Sequence, residues 1–185
     1  MKILALCGSL RSGSLNAAVL RSAADLFVPP WEITVEPDLS RLPFFNADVE
    51  MNDLPAVVAE LRAKVGASDG LLISSPEYAH GTSGVLKNAL EWLVGGGEIA
   101  EKPVALMSAS PAVTGGDRAR AWLTETLTVM GASVLTESLR VPMATRKVTD
   151  GRLTDEPTLA EMRELLDTLA RTVAERRAEN GVLAQ

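Results

Sequence analysis

The chain has a single cysteine, a single histidine and a single tyrosine among 185 residues. With Cys7 alone, an internal disulfide is excluded, and a lone apolar-strand cysteine reads as a buried thiol of a protein kept in a reducing compartment. With His80 alone and no second thiolate, a zinc site has no ligand set, so no metal is expected. Aromatics make up only 4% of the residues, and 18 Lys and Arg against 24 Asp and Glu leave a net charge of −6 without any basic block. The dense basic and aromatic interleaving of a nucleic-acid surface is therefore missing, and no nucleic-acid partner is expected. No apolar run approaches the ~20 residues of a membrane-spanning helix. Lys2 is followed by too short an apolar stretch for an export signal, so the expectation is a cytoplasmic protein without membrane insertion.

What remains is an ordinary folding composition, 46% hydrophobic and 23% charged, in a length suited to a single domain over residues 1–185. Apolar runs at 2–7, 32–36, 70–75, 102–110 and 132–139 read as strands. Between and after them lie helical spacings at 16–27, 54–65, 84–94, 117–130 and 158–178. "PPW" at 29–31 stops the first helix, Gly66 ends the second, and Ala121, Leu123, Leu127 and Met130 supply the apolar positions of the fourth. The stretch 37–50, with two prolines and no period, reads as a surface loop, and Asp150-Gly151 marks a short hairpin. Strand and helix alternate five times with nearly continuous apolar strands, as a parallel sheet covered on both faces requires. The pattern predicts a doubly wound α/β three-layer sandwich, with a ligand crevice at the carboxyl ends of the strands.

Three polar loops leave those strand ends, after residues 7, 75 and 108. The first, "GSLRSGSLN" at 8–16, concentrates serines, two glycines and Arg11 where a strand hands over to a helix. Helix-start N–H groups, hydroxyls and a guanidinium suit a phosphate monoester. The same residues also suit a plain turn with a capped helix, and composition alone leaves both readings open. No Gly-Lys-Ser/Thr closes the loop, and its glycines, Gly8 and Gly13, lack the Gly-x-Gly-x-x-Gly spacing of a dinucleotide site.

Gly8-Ser9-Leu10-Arg11 followed by Ser14 and Asn16, "SPEYAHGTSGVLKNALEW" at 75–92 and "SASPAVTGG" at 108–116 together resemble the signatures of the NAD(P)H-dependent FMN reductase family. The resemblance implies a flavodoxin-like fold with a five-stranded parallel sheet in the order 2-1-3-4-5. It implies a non-covalent FMN with its phosphate against Ser9, Arg11, Ser14, Leu15 and Asn16. It further implies that Pro76, Glu77 and Tyr78 border the isoalloxazine through backbone contacts, while Ser108, Gly115 and Gly116 flank its other edge. NADPH or NADH would be the reductant, and a quinone, free flavin or similar small molecule the acceptor. No obligate catalytic side chain is implied, because the flavin carries the hydride, and Glu77 is not read as a base. The family also implies a homodimer or homotetramer.

Phe44, Phe45, Tyr78, His80 and Arg118 are the candidates for a substrate edge. Phe44 and Phe45 would either line the mouth of the site across a subunit interface or tuck into their own domain. Arg118 and Arg120 would attract a nicotinamide phosphate or form surface ion pairs. Lys87 and Asn88 read more readily as a solvated side chain and a brace, and Trp92 as helix packing. The chain departs from the familiar second signature at Ala79, where Asn is usual, and at Ser83, where Pro is usual. Readings of another class are an electron carrier docking to redox proteins and a sandwich that has lost its flavin.

Overall fold

The computed structural model describes residues 1–27, 30–36 and 38–183. Strands β1 (Lys2–Cys7), β2 (Glu32–Val35), β3 (Gly70–Ser74), β4 (Pro103–Ala109) and β5 (Ser133–Val141) form one sheet. All neighbours run parallel, in the order β2-β1-β3-β4-β5, as expected. Helices α1 (Leu15–Leu26), α2 (Ala47–Asn52), α3 (Ala56–Ala67), α4 (Gly84–Val94), α5 (Asp117–Val129) and α6 (Glu156–Leu183) connect and close it.

The pleat divides the apolar strand residues between two cores. Leu4, Leu6, Leu71, Ile73, Val104 and Leu106 point toward α3, α4 and α5, which contribute Val58, Leu61, Leu90, Trp92, Leu93 and Leu127. Ile3, Ala5, Leu72, Ala105 and Met107 point the other way, to Val19, Leu20 and Ala23 of α1 and Met162, Leu166 and Leu169 of α6. This two-sided burial is why β3 and β4 are apolar at successive positions and fully buried along their length. The turn at Asp150-Gly151 joins β6 (Val148–Thr149) to β7 (Arg152–Leu153) with both central residues at positive φ, the geometry that a tight hairpin asks of an Asp-Gly pair.

Several sequence expectations are corrected. The stretch 37–50 is not all loop: a short 3-10 turn covers Leu39–Arg41, and Asn46 caps α2 by accepting from the N–H groups of Asp48 and Val49. Helix α3 continues through Gly66 and ends at Ala67, because the tertiary packing of Val58, Leu61 and Val65 outweighs the low helix preference of one glycine. In α5 Ala119 takes the buried position, whereas Ala121 faces solvent. The stop assigned to Pro29 and the start of the loop reading at Pro37 lie outside the described residues.

Leu72 is fully buried in the central strand β3, among α1 and α6 side chains. Leu72→Ala should lower unfolding free energy by about 2–5 kcal/mol in urea titrations, as expected for a cavity in a closely packed layer.

Candidate functional site

The chain order reverses between β2-β1 and β3-β4-β5, so the loops after β1 and β3 diverge to opposite sides of the sheet and leave a crevice at the carboxyl ends. Cys7 pairs in register with Ser74, and Ser74 with Met107, which brings the ends of β1, β3 and β4 to nearly the same level. All three polar loops therefore open onto one place. A cleft of about 170 Å³ there is lined by Ser9, Arg11, Ser14, Leu15 and Asn16 from the first loop. Pro76, Glu77 and Tyr78 line it from the second, and Ala109, Ser110 and Pro111 from the third.

The buried amide of Asn16 ties these loops together. Its Nδ2 donates to the Ala109 carbonyl at 3.0 Å, and its Oδ1 accepts from Ser74 Oγ at 2.8 Å and the Ala109 N–H at 3.0 Å. The side chain expected to reach a phosphate is thus spent inside the protein, and what Asn16 offers the cleft is its backbone N–H. Ser14 caps α1 by accepting from the Ala17 N–H at 3.1 Å, which leaves its hydroxyl proton free to donate. Among the described residues, the N–H groups of Ser9–Gly13, Leu15 and Asn16 have no acceptor, and Arg11 is in no ion pair. A row of unanswered donors at a helix start, next to an unpaired guanidinium, is a seat for an anion.

Gly8 lets the first two loops meet. A Cβ at this position would lie 2.9 Å from Ser83 Oγ and 3.1 Å from Ser75 Oγ. Ser83 itself caps α4 by accepting from the Leu86 N–H, so the serine standing in place of a signature proline still starts the helix.

Glu77 joins the second loop to the third. Its Oε2 accepts from the backbone N–H of Arg118 at 3.0 Å and of Ala119 at 3.4 Å, serving the start of α5, where Gly116 at φ 87° brings no capping side chain. That oxygen serves as a helix cap, and Oε1 lies 3.6 Å from His80 Nδ1. Ser108 is also turned inward: its Oγ donates to the Gly115 carbonyl at 2.6 Å, and its Cβ would be 3.0 Å from a Cβ at Gly116. Ser108, Gly115 and Gly116 therefore shape the third loop from behind rather than lining the cleft. The residues that do line it, Ala109, Ser110 and Pro111, stand at the strand exit, the position that could have singled them out.

Of the five edge candidates, only Tyr78 lines the cleft, and it is 52% exposed. It pairs with Gly81 through both backbone hydrogen bonds, closing a tight turn whose central residues, Ala79 and His80, have φ of 50° and 61°. The Ala79 departure thus has a backbone consequence that sequence reasoning missed: Asn enters this region at lower cost than Ala. Phe45 is tucked into its own domain, edge-on to Trp92 with centroids 5.0 Å apart, and its N–H donates to Asn88 Oδ1 at 2.8 Å. Asn88 Nδ2 and Trp92 Nε1 both donate to the Pro43 carbonyl, so these residues are the brace and the packing group expected. Phe44, by contrast, points outward, at 92% exposure. Lys87 pairs with Glu91 on the helix surface. Arg120 donates to Ser138 Oγ on β5 at 2.7 Å. Burial pushes the Cys7 thiol up from its ordinary range, which keeps it neutral beside the first loop.

The sequence profile described as NADPH-dependent FMN reductase matches residues 1–146. The chain belongs to this family. It is 34% identical over 173 residues to an NAD(P)H-dependent FMN reductase of Pseudomonas aeruginosa, covering 91% of this chain and 93% of the relative. It is 33% identical over 138 residues to a quinone reductase of Escherichia coli, 73% of each chain. The solved structure of FerB, a flavoenzyme NAD(P)H:(acceptor) oxidoreductase from Paracoccus denitrificans, superposes with a TM-score of 0.83 at 27% identity over 94% of this chain and 97% of that one. The family and sheet order inferred from the three loop motifs are both borne out, and the flavin reductase is an oxidoreductase dependent on FMN and NAD(P)H.

Two substitutions test the geometry. Asn16→Ala leaves the Ser74 hydroxyl and both Ala109 backbone groups without partners in a buried setting, and should cost about 2–3 kcal/mol in chemical denaturation. Ala79→Asn relieves a left-handed alanine and should stabilise the protein by about 1 kcal/mol, read as a raised denaturation midpoint with the same slope.

Proposed function

We propose that this reductase passes two electrons from NADPH or NADH to a quinone or similar flat acceptor over a flavin seated in the three-loop cleft. The observation that carries the reading is the set of N–H groups of Ser9–Gly13, Leu15 and Asn16 that have no acceptor among the described residues, beside Arg11, which has no ion-pair partner among them, on the cleft shared with Pro76–Tyr78 and Ala109–Pro111. The residues fit FMN: Ser9, Arg11, the Ser14 hydroxyl and the Leu15 and Asn16 amides would hold the phosphate. Pro76, Glu77 and Tyr78 would meet one side of the ring system, and Ser108, Gly115 and Gly116 would support the loop on its other edge. When bound, FMN supplies hydride acceptance and donation. The net exchange is NAD(P)H plus a proton plus quinone giving NAD(P)+ plus hydroquinone.

The protein's own part is alignment and field. Asn16 fixes the spacing between loops, and Glu77 locks the second loop onto α5, so backbone donors meet developing negative charge without rearrangement. A cleft of about 170 Å³ encloses only part of a molecule as large as FMN, so a ring face stays accessible to reductant and acceptor in turn. Among the edge candidates, Tyr78 flanks that face, with His80 and Arg118 farther out.

The reading extends to a single FMN-binding domain that self-associates as a homodimer or homotetramer in the cytoplasm. Phe44 and the exposed Val94 and Val129 supply apolar surface for self-association. No helix among the described residues is long and apolar enough to cross a membrane.

Arg11→Ala should weaken FMN binding about tenfold, the loss of one charge-assisted contact, with an unchanged far-ultraviolet circular dichroism spectrum. Flavin fluorescence titration checks this, and equal affinity in the two proteins would remove Arg11 from the phosphate seat.

A further inference from the structure

A second groove, of about 600 Å³, lies on the far side of the first loop, between α1 and the chain leaving β2. It shares Ser9 and Arg11 with the flavin cleft, so the two cavities are separated only by the loop that would hold the FMN phosphate. Its size falls within the range of small-molecule sites.

The charges in this groove are unequally committed. Glu36 is paired with Lys64 Nζ at 2.9 Å. Asp38 accepts from both the N–H and the hydroxyl of Ser40. The two arginines have no carboxylate partner among the described residues: Arg11 makes no ion pair, and Arg21 makes only a 3.3 Å hydrogen bond from Nε to the Gly151 carbonyl. Ala17 and Arg21 stand one helical turn apart on the same wall of α1, and the Arg21 guanidinium rests against Gly151 of the β6–β7 turn. The Glu36–Lys64 pair is neutral, and two arginines face the one remaining carboxylate, Asp38, which leaves one positive charge in excess, while Leu10, Val35 and Leu39 supply apolar surface beside it.

We infer that this groove seats the phosphorylated adenosine end of NADPH, with Arg21 as the residue that selects NADPH over NADH. Arg21 takes the ribose phosphate that NADH lacks, and the apolar wall carries the adenine. A dinucleotide whose nicotinamide lies over the flavin would cross the first loop to reach it. The inference rests on the reductase reading for its ligand, but Arg21 is not among the residues assigned to the flavin.

The test compares the FMN-loaded protein with Arg21→Gln and Arg21→Lys. In Arg21→Gln, KM for NADPH should rise about tenfold or more, as expected for a lost charged hydrogen bond, while KM for NADH changes less than twofold and FMN content stays the same. Arg21→Lys should recover part of the NADPH preference. A purely structural contact with Gly151 would shift both KM values together, and that result, or none at all, would overturn the inference. Calorimetry on the wild-type protein supplies a readout independent of turnover. Adenosine 2′-phosphate should bind in competition with NADPH, and adenosine and inorganic phosphate should bind much more weakly; a crystal soak should place its phosphate at Arg21. Equal binding of adenosine, binding of inorganic phosphate as tight as that of the nucleotide, or a phosphate located elsewhere would contradict the assignment. Loss of FMN from the wild-type protein would instead count against the flavin seat, because the nucleotide titration does not require flavin.

Discussion

The amide of Asn16 is the interaction on which the site depends. A parallel sheet delivers three strand ends to one level, but nothing in a sheet fixes the loops that leave them. Asn16 does so by spending three of its four hydrogen bonds on Ser74 at the end of β3 and Ala109 at the end of β4, from a position on the first turn of α1. A longer or charged side chain would not match that pattern of one donor and two acceptances in a buried space. Because the amide is satisfied internally, the backbone around it is left pointing outward with its donors free. Structural satisfaction inside and electrostatic invitation outside are two sides of one arrangement.

Two other contacts complete the frame. Gly8 allows the first loop to approach the serines of the second, and the Glu77 carboxylate carries the second loop onto the start of α5. Between them, loops from three βα units become one rigid rim. Catalysis by a flavin asks for such a rim more than for reactive side chains, since a fixed array of dipoles needs no reorganisation when charge moves. The tight turn at Ala79 and His80 is the exception, where positive φ on two residues other than glycine stores strain beside the one tyrosine.

Much of this was legible in the sequence. The five apolar runs declared a sheet buried on both faces because Leu, Ile, Val and Ala occupy successive positions of β3 and β4, and the three polar loops identified the crevice. The roles of individual side chains were less legible. Asn16 and Ser108 read as ligands because composition shows a hydrogen-bonding group but not which way it turns; only the register of β1, β3 and β4 reveals that both turn inward. Phe44 and Phe45 are identical letters, separated by the Asn88 and Trp92 contacts that hold one of them. Helix α2 has no buried face, so no period announced it, and only the Asn46 cap marks its start. The groove at Arg21 joins residues from α1 and from the exit of β2, which no motif connects.

The most direct measurement of the central claim is a pair of titrations of the isotopically labelled protein, with FMN and with riboflavin, following backbone amide signals. The account predicts that FMN shifts the amides from Ser9 to Asn16 as well as that of Glu77, and that riboflavin, which has no phosphate, binds far more weakly and leaves the first-loop amides nearly unmoved. Equal affinities for the two flavins, with the Ser9–Asn16 signals unchanged by FMN, would contradict it.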